Sequence, residues 1–307
     1  VIHYSIGAPH QRVFRMRLIF TTLTISFVGQ VSAFAAEAAE HHALPLNAQP
    51  VSQSLPISNS MIMVWLAVGL ITLFCRIATR QMKMVPSGFQ NFAEWAVESL
   101  YDFLEGLLGA HMVKRTFWFF GSVFFFILVS NWMGLIPGVG TVGWNTVDAH
   151  GHHGFTALLR GGNADLNMTA AMAVTFAILW FYWALTENGI KGFLAHIFAP
   201  KGSFGGLMLA LMVPVFLFVG VLEIISIMIR PVALSFRLYG NIYGGEQTLE
   251  ALMALVPKSL SFLSFLPALP FCFVELLVGF VQALVFTLLC SIFLKLICDH
   301  GDDHHAH

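Results

Sequence analysis

The stretch EIISIMIRPVALSFRLYGNIYGGE, Glu223 to Glu246, sets four charged side chains inside an apolar run that extends from Leu207 to about Val256. A second such run follows from Ser259 to about Cys298, with only Pro257 and Lys258 at the join. As helix, about 50 residues would measure roughly 75 Å against a hydrocarbon core of ~30 Å. The two runs therefore read as a long hairpin of helices, steeply tilted or kinked at Pro214, Pro231, Pro267 and Pro270.

Composition places the rest of the chain in the same solvent. Of 307 residues, 57% are hydrophobic and 10% charged, where soluble domains carry ~25% charged. Mean hydropathy is +0.78. A net charge of -1 without clustered Lys and Arg excludes a nucleic-acid surface. Cys75, Cys272, Cys290 and Cys298 lie in or beside apolar stretches without CxxC spacing, and read as buried hydrophobes rather than a disulfide or metal framework.

Residues 1–35 carry Arg12, Arg15 and Arg17, an apolar run from Leu18 to about Val28, and small residues to Ala35. That run is about 11 residues, short of the ~20 a crossing needs, so it reads as a secretory signal, with Met16 as an alternative start. Residues 36–60 form a polar outer segment, 61–298 a membrane domain and 299–307 a His/Asp-rich tail. Spans are expected at Met61 to about Thr79, Phe117 to Ile136 and Asn167 to Leu185. Between the first two, Ser87 to Gly109 mixes aromatic and acidic residues at helical spacing and reads as an amphipathic surface helix. Seven Lys or Arg fall on one side of these spans against Arg160 on the other, which places the N-terminus outside and the C-terminus in the cytoplasm. The fold class is an all-α membrane protein with about five membrane-embedded helices. No internal repeat supports an inverted-repeat transporter.

An arginine at mid-bilayer costs ~2.5 to 3.5 kcal/mol on insertion scales, so Arg237 must face protein or water. Because arginine does not deprotonate in proteins, Arg237 is a fixed charge and not a proton carrier. Taken alone it reads equally as an interfacial side chain, a structural ion pair or an electrostatic element. Its own helix supplies no simple countercharge. Glu223, fourteen residues upstream, shares its face ~21 Å away, and Glu246, nine downstream, lies on the opposite face ~14 Å away. Gly240 with Gly244, and Gly279 with Ala283, form small-xxx-small steps that admit a neighbouring helix, in this chain or another. Glu275 and Gln282 share a face ~10.5 Å apart. In an antiparallel hairpin Gln282 comes to the depth of Arg237, and Glu275 to that of Glu246. Two acids at one depth read either as a protonatable relay or as a solvated helix end.

These residues resemble subunit a of the bacterial F-type ATP synthases. The resemblance is carried by Arg237-Leu-Tyr-Gly-Asn241, by Glu223, Glu246 and Gln282 at their offsets, and by the stretches Asn131 to Pro137 and Asn163 to Thr169. It runs from about Met61 to Cys298 and implies a non-catalytic stator in the bacterial inner membrane, without cofactor or metal. Its implied partners are a ring of small c-type hairpin subunits and peripheral-stalk b-type subunits. Protons would cross by two offset half-channels separated by Arg237. Asn241, Glu246, Glu275 and Gln282 would line the outer one, with Asp165 as an access point, and Glu223 would serve the inner one. Some relatives carry His where this chain has Glu275. The resemblance assigns no role to Arg230 or Glu250.

Two other classes compete, a stand-alone ion-coupled transporter and a membrane hydrolase or oxidase. The second lacks a nucleophile-base or metal-ligand constellation in any span. His150, His152 and His153 with Asp148, and the His-rich tail, are compositional signals of metal binding only, and by the assigned topology they lie on opposite sides of the membrane.

Overall fold

The computed structural model describes residues 48, 50–52, 55–80, 82–136, 139–140, 142–147, 153–198, 207–256 and 265–298. The signal-like start, the hairpin join at Pro257 and Lys258, Asp148, His150, His152 and the tail lie outside the described residues.

Among the described residues six helices carry the fold: α1 (Asn59–Thr79), α2 (Phe89–Leu108), α3 (Ala110–Gly134), α4 (Leu166–Phe198), α5 (Leu207–Ala254) and α6 (Phe265–Cys298). All but α2 are long and apolar enough to cross a membrane, as the sequence reading expected. The chain is a multi-pass, all-α membrane protein. It divides into two compact units, one of Pro45–Gly245 with Phe271–His307, the other of Val1–Leu44 with Glu246–Pro270. The described part of the smaller unit is almost wholly helical, formed by the last turns of α5 and the first turns of α6.

Two short antiparallel hairpins, β1 (Pro50–Ser52) with β2 (Leu55–Ser58) and β3 (Gly143–Val147) with β4 (His153–Ala157), occupy stretches that hydropathy reads only as polar connections. Their bonds are backbone bonds, and composition carries little trace of them. Helix α1 begins at Asn59, two residues before the expected Met61, because the Ser58 side chain accepts from the Met61 N–H and caps the first turn.

Helix α2 separates its faces. Leu100, Leu104 and Leu108 are buried at four-residue spacing, while Phe89, Phe92 and Trp95 are exposed, the pattern of a helix lying in a membrane interface. Gly109, with φ 82, turns the chain from α2 into α3, in a left-handed conformation that side chains resist. Helix α4 continues past the expected Leu185 to Phe198 across a non-helical Gly189. Helix α5 stays helical through Pro214 and Pro231, although Pro231 lacks the N–H that would bond the Ile227 carbonyl.

The core of the larger unit lies among α2 to α6. Phe119, Phe120, Phe124 and Ile127 of α3 pack with Phe176, Trp180 and Trp183 of α4, with Leu234 and Leu238 of α5, and with Phe286, Cys290 and Leu294 of α6. Apolar contact between helices gains little where lipid is the alternative, so polar bonds and close packing specify the arrangement. Among the described residues, helix α6 accepts four side-chain bonds from α3 and α4 on its own carbonyls. Trp132 Nε1 donates to Leu276 O at 3.1 Å and Asn131 Nδ2 to Gly279 O at 3.0 Å. Trp180 Nε1 donates to Phe293 O at 2.9 Å and Asn188 Nδ2 to Ile297 O at 2.7 Å. Two helices thereby fix the register of α6.

Asn131 also accepts from Asn163 Nδ2 at 2.7 Å, so it links α3, α6 and the short 3-10 turn Gly162–Ala164. Replacing it by Ala removes two buried hydrogen bonds. We expect Asn131→Ala to cost about 1–2 kcal/mol, since such bonds in membranes contribute ~0.6 and at most ~1.7 kcal/mol each. A fall of a few degrees in the thermal midpoint in detergent is the expected reading, and an unchanged midpoint would count against this role.

Candidate functional site

Helix α5 presents two contrasting faces within the larger unit. Leu234, Ser235, Leu238, Ile242 and Gly245 are buried, whereas Arg237, Gly240, Asn241 and Gly244 are exposed. The exposed set falls at i, i+3, i+4 and i+7, one stripe of the helix. A side chain added at Gly240 or Gly244 would meet nothing within 4 Å. At Gly279 it would stand 3.1 Å from Asn131 Cβ, and Ala283 is fully buried, so the second small-residue step is packed within the chain.

The hairpin register follows from three contacts. Arg230 lies over the Phe293 ring, Asn241 Nδ2 donates to Gln282 Oε1 at 2.6 Å, and Gly245 abuts the Glu275 carboxylate. Numbers rising along α5 meet numbers falling along α6, so the two helices are antiparallel. Arg237 lies between the first two levels. Gln282 is joined to Asn241, one turn beyond Arg237, and not to the arginine itself. Among the described residues Arg237 takes part in no ion pair.

Glu275 and Gln282 are buried, and Glu275 Oε1 and Gln282 Nε2 have no hydrogen-bond partner among the described residues. Buried polar atoms of this kind are ordinarily met by water or by a group from outside. Glu246 is half-buried and belongs to the smaller unit. Asp165 is buried. Ser60 Oγ donates to its Oδ2 at 2.7 Å, and the Asn167 N–H donates to Oδ1 at 3.0 Å, so it caps α4.

Glu223 Oε1 accepts from Arg230 Nη2 at 3.0 Å, and the Arg230 Cζ stands 4.8 Å from the centre of the Phe293 ring. A groove of ≈ 450 Å³ between α5 and α6 is lined by Ser226, Arg230, Ala233 and Arg237 together with Leu289 and Phe293. No group of three or more potential metal ligands occurs among the described residues.

The profile of a family described as ATP synthase A chain matches residues 61–295. The chain belongs to the ATP synthase A chain family. It is 33% identical over 245 residues to ATP synthase subunit a of Solidesulfovibrio magneticus, covering 80% of this chain and 86% of that protein. To the proteins of the same name in Gloeobacter violaceus and Protochlamydia amoebophila it is 29% and 33% identical, over 80% and 78% of this chain and 86% and 79% of theirs. The resemblance drawn from the Arg237 motif is borne out over nearly the stretch where it was read.

Several features of this A chain were not picked out from its sequence. Glu223 and Arg230 are seven residues apart, two turns on one face, and that spacing was available. The buried pairs Ser60 with Asp165, Asn131 with Asn163, and Thr169 with Ser235 at 3.2 Å join residues distant in sequence, which spacing cannot reveal.

Proposed function

We propose that this chain is the proton-conducting stator subunit of a rotary ATP synthase membrane sector. It makes and breaks no bond of ATP itself. The observation that carries the reading is Arg237, a permanent cation on an uncovered stripe of a membrane helix, flanked by Gly240 and Gly244 and without an ion pair among the described residues. An uncompensated guanidinium is costly in lipid, so its counterion comes from outside the chain. A ring of small c-type hairpin subunits, each with a carboxylate, supplies that counterion in turn. The two glycines let the ring helices approach closely.

In this mechanism a proton reaches the ring from the outer side through a half-channel lined by Asn241, Glu275 and Gln282, with Asp165 at its access. The unsatisfied atoms of Glu275 and Gln282 favour a hydrated path there. Protons leave on the inner side through the groove beside Ser226, Arg230 and Arg237, with Glu223 at its edge. Arg237 stands between the two paths. It lowers the pKa of each carboxylate that passes, so the carboxylate ionises and releases its proton, and it repels protons that would cross directly. Peripheral-stalk b-type subunits hold the chain against rotation. The protein lies in the bacterial inner membrane with its N-terminus outside and its C-terminus in the cytoplasm, as the distribution of Lys and Arg supports.

Reconstitution into liposomes separates this reading from a stand-alone transporter. The purified chain alone should give no proton flux above empty liposomes, and flux should appear once the ring is incorporated with it. Comparable flux from the chain alone would overturn the proposal.

A further inference from the structure

Two guanidinium groups line one groove, and the chain treats them differently. Arg230 and Arg237 are seven residues apart on α5, so they share a face about 10.5 Å apart. Arg230 is bound by the Glu223 carboxylate and lies over the Phe293 ring. Arg237 has neither contact among the described residues. The Glu223 and Arg230 side chains are 42% and 20% exposed, which puts the pair at the rim of the groove rather than in the core.

In water a pair of this exposure contributes little. In a groove at membrane depth the dielectric is lower, and a charge left alone acts over a longer range. Pairing with Glu223 cancels most of the field that Arg230 would cast along the groove. The Phe293 ring holds the guanidinium in place.

We propose that Glu223 serves as the counterion of Arg230, so that Arg237 remains the one uncompensated cation of this groove. A carboxylate carried past α5 is then held at Arg237 and not two turns away. The inference rests on the proton-path reading above and changes the task of Glu223 from carrying protons to cancelling a charge. Neutralising Glu223 creates a second site that competes for the carboxylate. Neutralising Arg230 leaves an anion at the rim that holds protons back.

The test is a double-mutant cycle in the complete ATP synthase, reconstituted in liposomes, with ATP-driven acidification as the readout and assembly checked by subunit yield. Glu223→Gln and Arg230→Gln should each lower pumping about tenfold, the equivalent of ~1.4 kcal/mol in the barrier. Combining them should recover most of that loss, as should the exchanged pair Glu223→Arg with Arg230→Glu. Arg230→Lys, which keeps the charge, should recover most of the loss seen with Arg230→Gln even where other variants assemble poorly. A double variant no better than Glu223→Gln alone would show that the carboxylate itself is required and would overturn the inference. So would equal losses in Arg230→Lys and Arg230→Gln. Arg237→Ala in the same preparation separates the two levels of argument. If it pumps, the proton-path reading fails; if it is inactive while the cycle shows no recovery, only the counterion role fails.

Discussion

In complexes carrying Arg237→Ala, ATP-driven proton pumping should fall below detection while the soluble head continues to hydrolyse ATP. The size of the effect follows from what the guanidinium does to a passing carboxylate. An opposite charge within about 4–6 Å lowers a carboxylate pKa by about 1–3 units, so its removal makes ionisation roughly 10- to 1000-fold less favourable at each step. Nothing else on the exposed stripe replaces it. Gly240, Asn241 and Gly244 are uncharged, and Arg230, two turns away, is already bound to Glu223. Arg237→Lys should retain part of the activity, because it keeps a positive charge but not a permanent one, and lacks the planar fork that meets a carboxylate with two bonds. The same loss should open a leak. With the fixed cation gone, protons meet less repulsion between the two paths, and membranes holding Arg237→Ala complexes should dissipate an imposed pH gradient faster than those holding native complexes. Pumping retained in Arg237→Ala would remove the central step of the mechanism.

Much of this architecture was readable from residues alone, and the reason is the solvent. A membrane allows few backbone solutions, so apolar length gives the crossing at Asn59–Thr79 almost directly, and that at Ala110–Gly134 from Phe117 onward, the first two turns with Lys114 and Arg115 being too polar to count. Charge inside such a run is rare enough that Arg237 identifies itself. The antiparallel pairing of α5 and α6 follows from counting residues away from one join, and the count for Gln282 falls one turn short, at Asn241 rather than Arg237. What could not be read depends on contacts between segments far apart in sequence. The register of α6 is fixed by Asn131, Trp132, Trp180 and Asn188 reaching backbone carbonyls, and a carbonyl leaves no mark on composition. The resemblance implied Asp165 as an access point, and the carboxylate's own partners, Ser60 and the start of α4, were not readable. Glycine was ambiguous for the same reason. Gly240, Gly244 and Gly245 are neighbours in one short stretch, yet among the described residues a Cβ added at the last would meet a side chain within 4 Å and one added at either of the others would not.

That difference among glycines gives the second large effect. In an exposed helix Gly→Ala stabilises by about 1 kcal/mol, so propensity alone makes alanine favourable at each of the three positions. At Gly245 the added Cβ would fall within the Glu275 carboxylate, which is buried at 6% exposure and has no hydrogen-bond partner for Oε1 among the described residues. The atoms it meets are the end of a side chain, but that end is buried, so displacing it costs about 1–3 kcal/mol, enough to outweigh the gain in helix propensity. The displaced carboxylate would also lose its place on the face of α6 that carries Gln282 two turns away. Gly245→Ala should therefore lower the thermal midpoint and reduce pumping by about tenfold or more, and Gly245→Val should do so more severely. Gly240→Ala should leave the midpoint unchanged or slightly raised, because its Cβ meets nothing within 4 Å. Adding Glu275→Ala to Gly245→Ala separates packing from chemistry. The midpoint should return, since the collision is gone, while pumping should stay low, since the carboxylate of the outer path is gone with it. Recovery of both would mean that Glu275 only fills space, and a native midpoint in Gly245→Ala alone would mean that α5 and α6 do not approach closely at that level.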